Sequence, residues 1–138
     1  MQKIILSLGI MFMSYCSFSG NPPAAVQKAF NQQFSKATDI KWGKENTSEY
    51  EADFVLNGAK MSANYTADGT WLETETEIKA DQLPAKVTEY ISKTYPGWET
   101  VNASKVETAK KGIIYEADLK SGTKKKEVSV TSEGIPVK

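Results

Sequence analysis

The chain has no histidine and no arginine, and its single cysteine, Cys16, stands near the start. These absences exclude whole classes of chemistry. A Ser-His or Cys-His nucleophile pair and a histidine-ligated zinc site cannot be built. Without the guanidinium fork, bidentate capture of phosphate or carboxylate is unavailable, although lysines can serve as point charges. Lysines number 17 against 17 Asp plus Glu, so the formal net charge is zero and nothing in the balance draws the chain to nucleic acid. Carboxylates, lysines, hydroxyls and aromatics are the working groups that remain.

What is present begins with MQKIILSLGIMFMSYCSFSG. One early positive charge at Lys3, an apolar run from Ile4 to Met13 and then small polar residues have the layout of a secretory signal peptide spanning 1–19. Ser17 and Ser19 supply the small side chains before the cut. The expected product is exported, to the periplasm or beyond, and nothing later in the chain is long and apolar enough to span a bilayer. Cys16 raises the alternative of a lipoprotein, but Tyr15 precedes it where a lipobox takes Gly, Ala or Ser, so the cysteine is expected to leave with the signal.

The remainder reads as a tandem repeat. PAAVQKAFNQQF from Pro23 aligns with PAKVTEYISKTY from Pro84, and YEAD at Tyr50 recurs at Tyr115. The units are drawn as 20–80 and 81–138. Each opens with a helix entered through proline, which needs no amide donor in the first turn. Val26, Phe30 and Phe34 form one apolar stripe, and Val87 and Ile91 form the other. The predicted fold class is α+β: two tandem repeats, each with an N-terminal helix packed on a three- to four-stranded antiparallel meander. The two sheets are either joined or packed through a short connection at 79–82.

Turn chemistry sets a register. Asn57-Gly58 and Asp68-Gly69 both read as two-residue hairpin loops. Together they pair Phe54 with Met61, Ala52 with Ala63, Tyr50 with Tyr65, Tyr65 with Leu72 and Thr66 with Trp71, with a first strand around 40–44. The face away from the helix then carries Glu51, Asp53, Glu73 and Glu75, with Trp71 at one end. In the second unit Tyr115, Ala117, Leu119, Val128 and Val130 take the helix side. The opposite side mixes Glu116, Asp118 and Glu127 with Lys120 and Lys125.

The order of Leu83-Pro84, the TYPG segment at 94–97, the YEAD strand, an xG hairpin and a last strand entered through an acidic residue and Gly resembles the PepSY-like, β-lactamase-inhibitor-like family. That resemblance implies a small exported bacterial protein, similar in architecture to the β-lactamase inhibitory protein, where two such units form one concave binding sheet. The broader group looks like protease-inhibiting propeptide modules and periplasmic binding modules. This chain lacks the inhibitory protein's cysteines, and none of that protein's inhibitory residues can be matched to a position here.

The function expected is therefore a non-enzymatic binding or inhibitor-like module using its open sheet face, with another exported or envelope protein or peptide as partner. Candidate contact residues are Trp71, Glu51, Asp53, Glu73 and Glu75, with Trp42, whose face the spacing leaves open. The rivals are a self-associating envelope component and a carboxylate-dependent hydrolase. For the latter, Asp53 and Glu75 stand two strands apart, ~9–10 Å, near the upper end of the spacing in inverting glycosidases. A flat wet sheet, however, is expected not to raise a carboxyl pKa by burial. No cofactor and no metal is expected, because the carboxylates lack the dense ligand loop that wraps a cation.

Overall fold

The computed structural model describes residues 20–137. The expected signal peptide at 1–19, with Cys16, lies outside the described residues. Helices α1 (Ala24–Gln33) and α2 (Ala85–Thr94) each directly follow a proline, Pro23 or Pro84, whose extended ψ turns the chain into the first helical turn. The i, i+4 pairs Val26 and Phe30, and Val87 and Ile91, are the buried faces of the two helices. Among the described residues no helix is long and apolar enough to cross a membrane.

Seven strands follow one another in chain order: β1 (Thr38–Lys44), β2 (Glu49–Leu56), β3 (Ala59–Thr66), β4 (Trp71–Ile78), β5 (Glu99–Thr108), β6 (Gly112–Ser121) and β7 (Lys124–Thr131). They form a single antiparallel sheet in the order β1 to β7. The join is the β4–β5 ladder, which runs from Glu73 opposite Thr108 to Ile78 opposite Ala103. A 3-10 turn at Ala80–Gln82 and α2 bridge those two strands. Of the two arrangements the sequence allows, the joined sheet is the one formed.

Both helices lie on one face of this sheet. Under α1, Val26 and Phe30 pack with Ala52, Phe54, Ala63 and Tyr65, and the Phe30 ring meets Phe34, Trp42 and Phe54 at centroid distances of 5.4, 5.2 and 5.0 Å. Such aromatic pairs add ~0.5–1.5 kcal/mol each beyond their area burial. Tyr65 is fully buried, and its hydroxyl donates to Gln33 Oε1 at 2.9 Å. Under α2, Val87 and Ile91 pack with Leu83, Ala103, Ala117, Leu119, Val128 and Val130, bordered by Tyr90, Tyr95 and Trp98. Lys126 runs along this side and sets its ammonium 5.1 Å from the Tyr95 ring.

The Asn57-Gly58 hairpin has the expected register, with both residues at positive φ (52° and 81°) and Phe54, Ala52 and Tyr50 opposite Met61, Ala63 and Tyr65. The turn at Asp68-Gly69 differs. Only Gly69 takes positive φ, the Gly69 amide donates to Thr66 O, and the Thr66 amide donates to Thr70 O. This is a three-residue loop ending in a glycine bulge. Thr66 therefore faces Thr70, and Tyr65 faces Trp71 rather than Leu72. An irregularity between Asn64 and Tyr65 restores the expected pairing from Asn64–Glu73 onward. The one-residue shift carries Trp71 to the helix side, where it packs on the α1 cluster and donates through Nε1 to Thr74 Oγ1 at 2.9 Å. Its expected place on the open face is corrected accordingly.

The same glycine bulge recurs at the far end of the sheet, with Gly134 N to Thr131 O and Thr131 N to Ile135 O. Both glycines press on a helix start. A Cβ on Gly69 would stand 2.6 Å from Ala25 O, and one on Gly134 would stand 2.7 Å from Lys86 O. Gly69→Ala and Gly134→Ala must thus meet both an unfavourable φ and a backbone clash, and each is expected to cost about 2–4 kcal/mol in urea unfolding. Gly58→Ala meets only the φ penalty, having nothing within 4 Å, and should cost about 1 kcal/mol. Equal losses at Gly58 and Gly69 would show that the helix contact is not a packing constraint.

Candidate functional site: an acidic sheet face

Side chains opposite one another in an antiparallel sheet share a face, so the registers define the surface away from the helices. One row across the strands holds Glu51, Asn64, Glu73 and Thr108, and the next holds Asp53, Ser62, Glu75, Val106 and Ile114. A third holds Glu77, Ser104, Glu116 and Ser129, and a fourth Asn102, Asp118 and Glu127. The expected quartet Glu51, Asp53, Glu73 and Glu75 therefore does share this face. Trp42 and Trp71 do not. Trp42 sits opposite Ala52 and against Phe30, in the α1 core.

Ser104, Val106, Ile114 and Glu116 are no more than 2% exposed although both helices lie on the other side. With no helix on this side, their cover comes from neighbouring side chains of the sheet itself. Ser129 Oγ donates to Glu116 Oε1 at 3.2 Å, and Asn102 Nδ2 donates to Asp118 Oδ2 at 3.1 Å. Glu116 Oε2 and Glu127 Oε2 are buried with no hydrogen-bond partner. The ion pairs Lys93–Glu89 at 2.6 Å and Lys105–Glu107 at 2.7 Å lie off this face.

Burial is the first cause of the titration behaviour that results, and like charge is the second. Glu116 is pushed up to about 8 by desolvation and then by the charges of Glu127, Glu75 and Glu73. Glu51 rises to about 7, from burial and then Asp53, Glu45, Glu75 and Glu73. Glu127 also rises to about 7, from burial and then Asp118 and Glu75. Burial raises Glu73 and Glu75 in the same direction. The expectation that this face cannot shift a carboxyl by burial is therefore corrected: it assumed side chains open to water, and Glu116 is 2% exposed.

The residues missed as candidates are Ser104, Glu116, Asp118 and Glu127. Alternation placed the three acids on the open side, but only the β4–β5 ladder makes that side continuous with Glu73 and Glu75, and no sequence motif announces that ladder. Among the described residues no group of three or more carboxylates is arranged to hold a metal ion. Two surface depressions, of about 380 and 280 Å³, lie by the Asn57–Lys60 hairpin and beside α2, and neither is lined by Asp53 or Glu75.

Residues 48–135 match the family described as "Putative beta-lactamase-inhibitor-like, PepSY-like". Among solved structures, a DUF2874 family protein from Bacteroides ovatus is 26% identical, with 86% of each chain covered and a TM-score of 0.78. A BLIP-like protein from Bacteroides fragilis is 25% identical over 87% of this chain and 86% of its own, with a TM-score of 0.75. A Bacteroides eggerthii structure of "putative periplasmic proteins" has the same fold at 24% identity, covering 86% of this chain and 88% of its own with a TM-score of 0.78. No curated protein matches the chain.

Raised carboxyl pKa values make a signed prediction. Below about 4.5 the carboxyls are neutral both folded and unfolded; above it the unfolded chain ionises while the folded one holds its protons, so stability falls as pH rises towards 7 to 8 and levels off beyond. Urea unfolding should give a higher midpoint at pH 5 than at pH 8.5. Glu116→Gln should recover about 1–3 kcal/mol at pH 8.5 and less than about 0.5 kcal/mol at pH 5. A pH-independent effect of the substitution would refute the assignment.

Proposed function

The chain belongs to the PepSY-like, beta-lactamase-inhibitor-like family, and from that premise we propose that it is an exported, non-enzymatic binding module whose acidic sheet face receives another exported or envelope protein. The observation that carries this reading is the burial of ionisable groups on a face that no element of the described fold covers. Leaving Glu116 2% exposed with an orphaned oxygen lowers stability and does nothing for the core on the far side. Buried, unpartnered ionisable groups of this kind cluster at functional sites.

In this reading the chain is two copies of one helix-plus-meander unit. Support comes from the paired glycine bulges at Gly69 and Gly134, each pressed on the first turn of its own unit's helix. The fourth strand of the first unit has as its counterpart a single bridge between Val130 and Pro136. A binding role also accords with the fold shared with the BLIP-like protein of Bacteroides fragilis, and a periplasmic location with the Bacteroides eggerthii structure.

The contact residues in this proposal are Glu51, Asp53, Glu73 and Glu75, joined by Glu116 and Glu127. Trp42 and Trp71 are left out because both serve the α1 core. Capture from an envelope extract should lose its specific band with Glu51→Lys plus Glu73→Lys and keep it with Lys28→Glu plus Lys86→Glu on the helices. Identical recovery by both variants would remove the open face as the binding surface. Sedimentation that depends on concentration and is abolished by the same open-face pair would instead favour self-association.

A further inference from the structure

We infer that the occupant of this face is a cationic segment of a partner polypeptide, which lies across β4 to β7 and sets a lysine or arginine side chain against Glu116 and Glu127. This rests on the open-face reading above and adds the chemistry of the partner. The acidic surface alone would not carry it. The second observation is Glu116 itself, 2% exposed, with Oε2 buried and bonded to nothing, beside a Glu127 Oε2 in the same condition.

The groups facing these oxygens leave no internal cation to satisfy them. Glu116 is surrounded by the charges of Glu127, Glu75 and Glu73 and by two neutral hydroxyls: that of Ser129 already donates to its other oxygen, and that of Ser104, directly opposite on β5, is buried and makes no hydrogen bond. Glu127 stands directly opposite Asp118 and within the field of Glu75. The lysines that share this face occupy its margins: Lys41 on the edge strand, Lys60 by the Asn57-Gly58 turn, and Lys120 opposite Lys125 near the β6–β7 turn. Like charges opposite each other on a sheet are destabilising, and an unpaired carboxylate oxygen out of water is more so. A protonated amine or guanidinium supplies both the missing donor and the opposite charge. The marginal lysines repel a cationic segment lying off-centre and leave the middle of the face as its one attractive position.

A cation arriving here must also displace protons, because the carboxyls it needs are partly protonated at neutral pH. That separates this site from an ordinary acidic surface, which is already ionised at pH 7. The test titrates the full chain with blocked trilysine, at 50 mM salt, by calorimetry in two buffers of different ionisation enthalpy and by amide chemical shifts. Expected are shifts centred on Ser104, Glu116, Glu127 and Ser129, net proton release at pH 7, and affinity at least tenfold higher at pH 8.5 than at pH 5.5. Glu116→Gln plus Glu127→Gln should lower affinity at pH 8.5 at least tenfold, while Asp81→Asn plus Glu89→Gln, off the face, should not change it. The Gln variants keep the side-chain volume and remove buried charge, and an unchanged circular dichroism spectrum verifies that they fold.

Binding without proton release, or equal weakening by the off-face variant, would overturn the proposal, as would calcium chloride binding more tightly than trilysine at the same residues. Shifts confined to the helix side would overturn the open-face reading itself. Failure of trilysine to bind, with the envelope partner still lost on Glu51→Lys plus Glu73→Lys, would overturn the cationic chemistry alone.

Discussion

The pairing of β4 with β5 is the constraint on which the rest depends. Six consecutive residue pairs, from Glu73–Thr108 to Ile78–Ala103, turn two small meanders into one sheet. Because residues opposite each other share a face, this ladder forces both helices to the same side and both sets of outward carboxylates to the other. Two separate sheets could have turned their acidic sides apart. Joined, they place Glu75 of the first half within the field of Glu116 and Glu127 of the second.

The helix side supplies the stabilisation that the open side removes. Phe30, Val26, Tyr65, Leu119, Val87 and Val130 are each almost wholly out of water, and burial of such side chains stabilises by ~1.5–3 kcal/mol apiece. Desolvated, mutually repelling carboxylates act in the opposite direction, more strongly as pH rises. The two effects are separable because they occupy opposite faces of the same backbone. Substituting Glu116 therefore leaves the packing of α2 untouched, and repacking α2 leaves the acidic face in register.

Much of this was legible in the residues, and the parts that were not have definite causes. Asn57-Gly58 specifies a two-residue loop because both residues tolerate positive φ, and every pair it predicts along β2 and β3 is present. Asp68-Gly69 looks equivalent, yet only Gly69 adopts positive φ, and one extra loop residue moves Trp71 to the other face. The compensating irregularity before Glu73 keeps the carboxylates where alternation puts them, so the acid quartet survives an error that misplaced the tryptophan. Crowding of side chains across seven strands is a property of the assembled sheet and has no residue signature. For that reason the burial of Glu116, and with it the shift of its pKa, was the least accessible feature from sequence.

The repeated YEAD tetrapeptide shows what the joining adds. Tyr50 and Ala52 face α1 as Tyr115 and Ala117 face α2, while Glu51, Asp53, Glu116 and Asp118 all point away. Identical residues nevertheless reach different states, with Glu51 raised to about 7 and Glu116 to about 8. The difference comes from the neighbours. Glu116 stands between Ser104 and Ser129 on β5 and β7 and is 2% exposed, whereas Glu51 stands between Gly43 and Asn64 close to the edge strand β1. Glu75 raises both, and it raises Glu73 and Glu127 as well. It occupies β4, directly opposite Val106 on β5. A carboxylate on the joining ladder thus couples strands β1 to β4 electrostatically to β5 to β7. The shared acidic field is therefore a property of the joined sheet, which neither group of strands could form by itself.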